Sequence, residues 1–195
     1  MANLHLMDDK DLVHLYQKGD QLAISELVSR YKQRIYSTIY FLVRNRELAE
    51  DLFQDTFIKI LTSLKNKHYS EQGKFLPWAL RIAHNLVIDH FRKDKLMPLQ
   101  HDSDEYSVFD VLPQKGRNAA EQMIYDEKIT QVRALLDQLP FEQREVVILR
   151  HFAGLSFKEI SNMLEININT ALGRMHYAIL KMREMVQKQD INLRE

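Results

Sequence analysis

The sequence predicts an all-α chain of two small helical domains joined by a flexible acidic linker, the C-terminal domain containing a helix-turn-helix. Three observations lead there. Only five glycines and four prolines occur in 195 residues, so the strongest breakers of regular structure are scarce. Several of those breakers are clustered, with Pro98, Pro113 and Gly116 all lying between Lys95 and Arg117. On both sides of the cluster the apolar residues recur at the helical period rather than in alternation. The chain therefore divides into residues 1–95, a linker over 96–125 and residues 126–195. At about 100 to 200 residues per domain, the length allows one ordinary domain or two small ones.

Composition narrows the function classes. A hydrophobic content of 45% against 28% charged is enough to bury a core and argues against global disorder. With 27 basic and 27 acidic side chains the formal net charge is zero, which is unpromising for a free-standing nucleic-acid binder. The total conceals a pattern: residues 1–95 hold 15 basic and 12 acidic side chains, residues 96–125 hold two and five, and residues 126–195 hold ten and ten. There is no cysteine, which excludes disulfides, thiolate nucleophiles and cysteine-ligated zinc. The N-terminus has no basic start followed by an apolar stretch, and no apolar run approaches the roughly 18 residues of a membrane span. A cytoplasmic chain without membrane insertion is expected.

The helices follow in order. Gly19 separates a first helix, about Asp8 to Lys18, from a second, about Asp20 to Val43. A third, from Glu47 to about Leu64, carries Leu48, Leu52, Phe53, Phe57, Ile60, Leu61 and Leu64 over a broad arc suited to burial. Its opposite face holds Asp51, Gln54, Asp55 and Ile58 at i, i+3, i+4 and i+7, an apolar side chain inside a small acidic, amide-bearing patch. That pattern fits a solvated face with one scattered isoleucine, since single exposed apolar residues are common; the functional alternative is a docking patch for a basic partner helix.

Gly73 and Pro77 mark a loop before the fourth helix, which begins after Phe75 with Pro77 in its first turn, where a missing N–H costs little. Ala79, Leu80, Ala83, Leu86, Val87 and Phe91 form its inward stripe. Trp78, Arg81, Asn85 and Arg92 share an outward sector of about 80°. An aromatic ring, an amide and two guanidinium groups offer single-stranded DNA stacking, base-edge hydrogen bonds and phosphate contacts. The alternative is a tryptophan packed on a neighbouring helix beside solvated arginines. Lys65, Lys67, His68, Tyr69 and Lys74 in the preceding loop interleave base with aromatic and favour nucleic acid.

Beyond the linker, Ser156-Phe157-Lys158-Glu159 is a capping box opening a short helix to Leu164, with Phe157, Ile160 and Leu164 inward. After a turn over Glu165 to Ile168, Asn169 is expected to cap a second helix with Ala171, Met175, Ala178 and Met182 inward. Thr170 stands in its first turn, and Leu172, Gly173, Arg174, His176, Tyr177 and Lys181 are expected to face outward. Two short helices joined by a tight turn, the second with cationic and aromatic groups on its free face, describe a DNA-binding helix-turn-helix. A plain helical hairpin has the same spacing. Gly173 favours the first reading, because glycine costs about 1 kcal/mol in a helix interior and close approach to a DNA backbone is a reason to tolerate it.

An enzymatic reading finds little. His84 and Asp89 lie about 140° apart around their helix and His84 and His90 about 120° apart, so one helix cannot present them to a single metal. No glycine-rich phosphate loop, Gly-x-Ser-x-Gly or His-Glu-x-x-His occurs. No catalytic group, metal or cofactor is expected.

The segment Tyr31 to Leu64, with Ala49-Glu50-Asp51-Leu52-Phe53-Gln54-Asp55-Thr56-Phe57, followed by Trp78-Ala79-Leu80-Arg81-Ile82-Ala83-His84-Asn85, resembles the second region of bacterial extracytoplasmic-function sigma factors. Leu139-Pro140-Phe141-Glu142-Gln143-Arg144-Glu145-Val146 and the helix-turn-helix resemble the fourth region. The resemblance covers about residues 8 to 95 and 120 to 187. It implies that Asp51, Gln54, Asp55 and Ile58 dock on the clamp helices of the largest RNA polymerase subunit, with the fourth region meeting the flap of the second-largest. It implies that Lys67, His68, Tyr69, Trp78, Arg81, Asn85 and Arg92 engage the promoter −10 element, Asn85 and the loop from about Asn66 to Phe75 holding a flipped-out base. It implies further that Thr170, Leu172, Gly173, Arg174, His176, Tyr177 and Lys181 engage the −35 element, and that an anti-sigma protein regulates the chain. In such motifs glycine usually stands where Glu165 does, and Leu172 and Gly173 occupy positions that more often hold polar or basic residues. The rival to this reading is an autonomous helix-turn-helix regulator with a helical dimerisation or sensing domain.

Overall fold

Asp20 begins the first long helix because its side chain accepts a hydrogen bond from the Leu22 N–H at 2.9 Å, satisfying a donor that the helix itself cannot. The computed structural model describes residues 4–66, 69, 74–93 and 130–188. Every regular element among these is helical. They fall into two compact units, one within Met1–His101 and one within Asp102–Glu195. The acidic linker expected over 96–125 lies outside the described residues.

In the first unit a short 3-10 turn, Leu4–Leu6, leads into α1 (Asp9–Gln17), α2 (Gln21–Val43), α3 (Arg46–Lys65) and α4 (Phe75–Lys93). Gly19, between α1 and α2, has φ +104°, in the region that glycine enters without a Cβ penalty. Arg44 closes α2 in the left-handed conformation, and the Asn45 side chain caps α3 by accepting from the Leu48 N–H at 2.8 Å. α2 packs on α1, α3 and α4, and α3 packs on α4. Leu12, Leu27, Ile35, Ile39, Leu42, Ile60, Leu64, Phe75 and Leu80 are withdrawn from water between them. Burying each such side chain contributes about 1.5–3 kcal/mol relative to exposure. The buried Thr56 hydroxyl donates to the Leu52 carbonyl at 2.6 Å, so the core takes it in without an orphaned donor.

A polar latch holds the start of the chain to α2. Arg30 donates from Nε to Glu26 (2.9 Å), from Nη1 to Asp9 (3.1 Å) and from Nη2 to the carbonyls of Leu4 (2.9 Å) and His5 (3.0 Å). Tyr31 donates its hydroxyl to the other oxygen of Asp9. One guanidinium thereby ties together the 3-10 turn, α1 and α2, the rigid multidentate geometry that arginine supplies and lysine does not.

In the second unit residues 130–137 are helical (α5), followed by α6 (Phe141–His151), α7 (Phe157–Leu164) and α8 (Ile168–Lys188). α8 packs on both α6 and α7. Leu135, Leu136, Ile148, Leu149, Ile160, Ala171 and Ala178 form the core. The capping box at Ser156 forms as the sequence predicts: Ser156 Oγ accepts from the Glu159 N–H, and the Glu159 carboxylate accepts from the Ser156 N–H at 2.8 Å. Asn169, by contrast, does not cap α8. The Asn167 side chain accepts from the Asn169 N–H at 2.8 Å, and the Asn167 carbonyl accepts from Ala171, so the helix starts two residues earlier than expected. Either asparagine has a side chain suited to the role. The backbone decides, because only the residue immediately before the first turn can reach the N–H two positions on.

Candidate functional site

Three exposed faces among the described residues carry the side chains singled out in the sequence. On α3 the side chains of Leu52, Thr56, Ile60 and Leu64 turn inward, which fixes the rotation of the helix and sends Asp51, Gln54, Asp55 and Ile58 to the surface. Ile58 is 61% exposed, more than any other side chain of α3's apolar set. Aromatic packing beneath the helix keeps that rotation. Phe53 lies edge-on to Tyr36 of α2 at 5.5 Å, so α3 cannot turn to bury Ile58 without losing that contact, and Phe57 lies beside Phe53 on the same helix at 4.8 Å. The two carboxylates flanking an uncovered isoleucine make a small anionic patch with an apolar centre.

The second face belongs to α4. Ala79, Leu80, Ala83 and Val87 are buried, and Arg81, Asn85 and Arg92 are exposed on the far side. Arg92 reaches Asp89 only at 4.0 Å, and both side chains are well exposed, so the pair costs little to break. Trp78 is partly buried. Its ring lies 4.3 Å from Tyr69 and 5.7 Å from Phe75, one side held by aromatics. Trp78 thus packs on its neighbours and keeps some surface free.

Tyr69, expected among the DNA-contacting residues, is 7% exposed, and its ring packs against Trp78 and Phe75. Its burial escaped the sequence because it lies outside any helix, where no period marks an inward position. Lys67 and His68 lie outside the described residues.

His84, considered as a metal ligand, is buried on the inward side of α4, while Asp89 is exposed. Among the described residues no group of three or more metal-ligating side chains comes together.

The third face is the free side of α8. Ala171, Met175, Ala178 and Met185 are buried, whereas Thr170, Leu172, His176, Tyr177 and Lys181 are exposed and Gly173 and Arg174 half-buried. Tyr177 is 62% exposed and Leu172 44%. At 100° per residue this face has two flanks. Arg174, Lys181, Thr170 and Tyr177 form a cationic and polar one, and Ile168, Leu172 and Ile179 an apolar one, all three of these exposed. A Cβ at Gly173 would meet nothing within 4 Å, so no neighbour within the unit demands a glycine there. The turn into α8 is tight: Glu165 closes α7 with φ +56°, its N–H donating to the Ser161 carbonyl. The left-handed conformation that such turns ordinarily give to glycine is therefore kept here by a glutamate.

None of the described helices is long and apolar enough to cross a membrane. Two family models match the chain: Sigma-70 region 2 over residues 27–96 and Sigma-70, region 4, over residues 129–182. The ECF RNA polymerase sigma factor SigE of Mycolicibacterium smegmatis is 33% identical, with 96% of this chain and 76% of that protein covered. SigW of Bacillus subtilis, another ECF RNA polymerase sigma factor, is 30% identical over 92% of this chain and 95% of its own. Among solved structures, CnrH in complex with the cytosolic domain of CnrY shares the fold with a TM-score of 0.66 at 22% identity, covering 92% of this chain and 97% of that one. RpoE of Bartonella quintana, in complex with the anti-sigma factor NepR, does so at 0.65 and 18%, covering 84% and 96%. The first unit spans region 2 and the second region 4, and by sequence along nearly its whole length the chain belongs to the ECF RNA polymerase sigma factors.

Proposed function

We infer that this protein is a dissociable promoter-specificity subunit that binds core RNA polymerase, recognises −35 and −10 elements and promotes melting of promoter DNA. The observation that carries the reading is that region 2 and region 4 fold as separate helical units, each with an exposed face of the right chemistry. On α3, Asp51, Gln54, Asp55 and Ile58 are the surface for the clamp helices of the largest subunit, a basic helix pairing with the carboxylates while Ile58 supplies the buried anchor. The second unit meets the flap of the second-largest subunit.

Trp78, Arg81, Asn85 and Arg92 engage the −10 element. Trapping unstacked bases stabilises the melted duplex without nucleotide hydrolysis, because their binding energy offsets the cost of unpairing. Thr170, Leu172, Gly173, Arg174, His176, Tyr177 and Lys181 enter the major groove of the −35 element, with Arg174 and Lys181 on phosphates and His176 and Tyr177 towards base edges. The protein acts in the cytoplasm, and an anti-sigma protein covering the polymerase-binding faces is the expected regulator; the similar RpoE was solved in complex with the anti-sigma factor NepR. A chain of zero net charge gains little nonspecific affinity from counterion release, so useful promoter binding requires polymerase to hold both weak contacts in register.

Run-off transcription tests this. Core polymerase with the protein should initiate at a cognate promoter, and the protein alone should bind duplex DNA weakly. Tight, salt-stable binding by the isolated chain with no initiation at any promoter would favour an autonomous regulator instead, the reading that family membership does not support.

A further inference from the structure

The start of α8 leaves one side chain with a chemistry that the promoter-reading face has not yet used. Asn167, not Asn169, caps the helix, and Asn169 contributes to the cap only through its backbone N–H. The carboxamide of Asn169 is therefore released from the structural duty that its type and position suggest, and it is exposed on the first turn. Around the helix axis it lies about 60° from Leu172 and about 40° from Gly173, near the middle of the free face. Gly173, one turn on, offers open space rather than a side chain beside it. Arg174 and Lys181 lie about 120–140° further around the axis on the cationic flank, and the first turn of α8 contains no acidic residue, so the helix as a whole suits a polyanion.

A carboxamide has one acceptor and two donors in a planar arrangement that matches adenine in the major groove, where N7 accepts and the N6 amino group donates. Guanine presents acceptors at both positions and offers no donor to the amide oxygen. We propose that Asn169 is a specificity-determining residue of the −35 element and reads an adenine through paired hydrogen bonds to N6 and N7. This rests on α8 being the −35-reading helix.

The experiment separates failure of the inference from failure of that reading. Holoenzyme reconstituted from the full chain and core polymerase is titrated against a cognate promoter and a panel in which each −35 base pair is changed in turn. At a single A·T pair, wild type should discriminate against G·C by about 5- to 150-fold, and Asn169→Ala should lose that discrimination while keeping it at the other positions. Replacing that adenine by 7-deazaadenine, which lacks the N7 acceptor, should weaken binding of wild type and leave Asn169→Ala unaffected. If Arg174→Ala weakens binding and Asn169→Ala retains full discrimination at every pair, the inference is overturned and the −35 reading survives. If neither variant changes promoter affinity, both are overturned. An unchanged melting temperature for Asn169→Ala excludes loss of folding as the cause of either result.

Discussion

The ring of Tyr69 lies 4.3 Å from that of Trp78, tilted by 43°, and Phe75 completes the cluster at 6.1 Å from the first and 5.7 Å from the second. Tyr69 lies between α3 and α4, so this cluster sets where the chain enters α4 and how Trp78 is held. Tyr69→Ala should destabilise the first unit by about 2–4 kcal/mol, since it removes a buried aromatic and leaves a cavity. Tyr69→Phe, which keeps the ring, should cost much less. Thermal unfolding of both variants checks this; equal stabilities would mean that the ring is not part of the core. The same truncation should impair open-complex formation through Trp78, an effect that Tyr69→Phe should not share.

Asp51→Arg and Ile58→Asp should each weaken binding to core polymerase without lowering the melting temperature, because both side chains are exposed. Loss of about 1–3 kcal/mol is expected if the pair occupies the centre of the interface. Unchanged affinity in a direct titration would remove this face of α3 from the polymerase contact.

Asn85→Ala should impair promoter opening while leaving polymerase binding intact, since Asn85 projects from the opposite side of α4 to its buried stripe. Permanganate reactivity of thymines in the −10 region reports opening directly. Undiminished reactivity in the variant would show that the amide holds no flipped base.

Leu172 is apolar and 44% exposed on a face otherwise suited to DNA, and a thymine methyl group is the apolar feature of the major groove. Replacing thymine by uracil at one −35 position should weaken holoenzyme binding by less than about tenfold, roughly the transfer free energy of one buried methyl group. Leu172→Ala should abolish the difference between the two bases, and a difference that persists in the variant would place the methyl contact elsewhere.

Tyr31 has its pKa raised from 10.0 to about 12, first by burial and then by the hydrogen bond to Asp9. The native state holds this proton more tightly than the unfolded chain does. The contribution of Tyr31 is therefore fully present below pH 10 and is lost as pH rises through about 12. Glu26 is the reverse case, held below its ordinary value chiefly by Arg30, so its contribution is present above the carboxylate range and is lost on acidification. Melting of Tyr31→Phe should decline less than wild type between pH 9.5 and pH 11.5, a range bracketing the ordinary tyrosine value. Parallel declines would mean that the latch does not depend on the phenol proton.

Asn167→Ala should lower the stability of the second unit by about 1 kcal/mol through loss of the cap, whereas Asn169→Ala should leave it unchanged. Glu165→Gly should raise it by a few tenths of a kcal/mol or more, since glycine adopts φ +56° without a Cβ penalty. Destabilisation by Asn169→Ala equal to that of Asn167→Ala would contradict the assignment of the cap.

The amino-acid sequence by itself determined the helical class, the break between the two halves and the inward and outward faces of α3, α4 and α8. Those properties are local: a helix repeats every 3.6 residues, so an apolar stripe declares its own buried side, and Asp20, Ser156 and Gly19 mark ends through bonds spanning three residues or fewer. The exposed patch around Ile58 and the amide and guanidinium row on α4 were legible for the same reason. Tertiary structure alone decided the rest. Tyr69 lies outside the helices, where no period distinguishes core from surface, and only packing against Trp78 and Phe75 turns it inward. Arg30 joins Asp9 and the Leu4 carbonyl across more than 20 residues of sequence, a distance at which side-chain pattern carries no information. Between Asn167 and Asn169, two residues of the same type, composition could not choose. The backbone path out of the left-handed Glu165 placed one in the cap and left the other facing solvent, where its amide can meet a base.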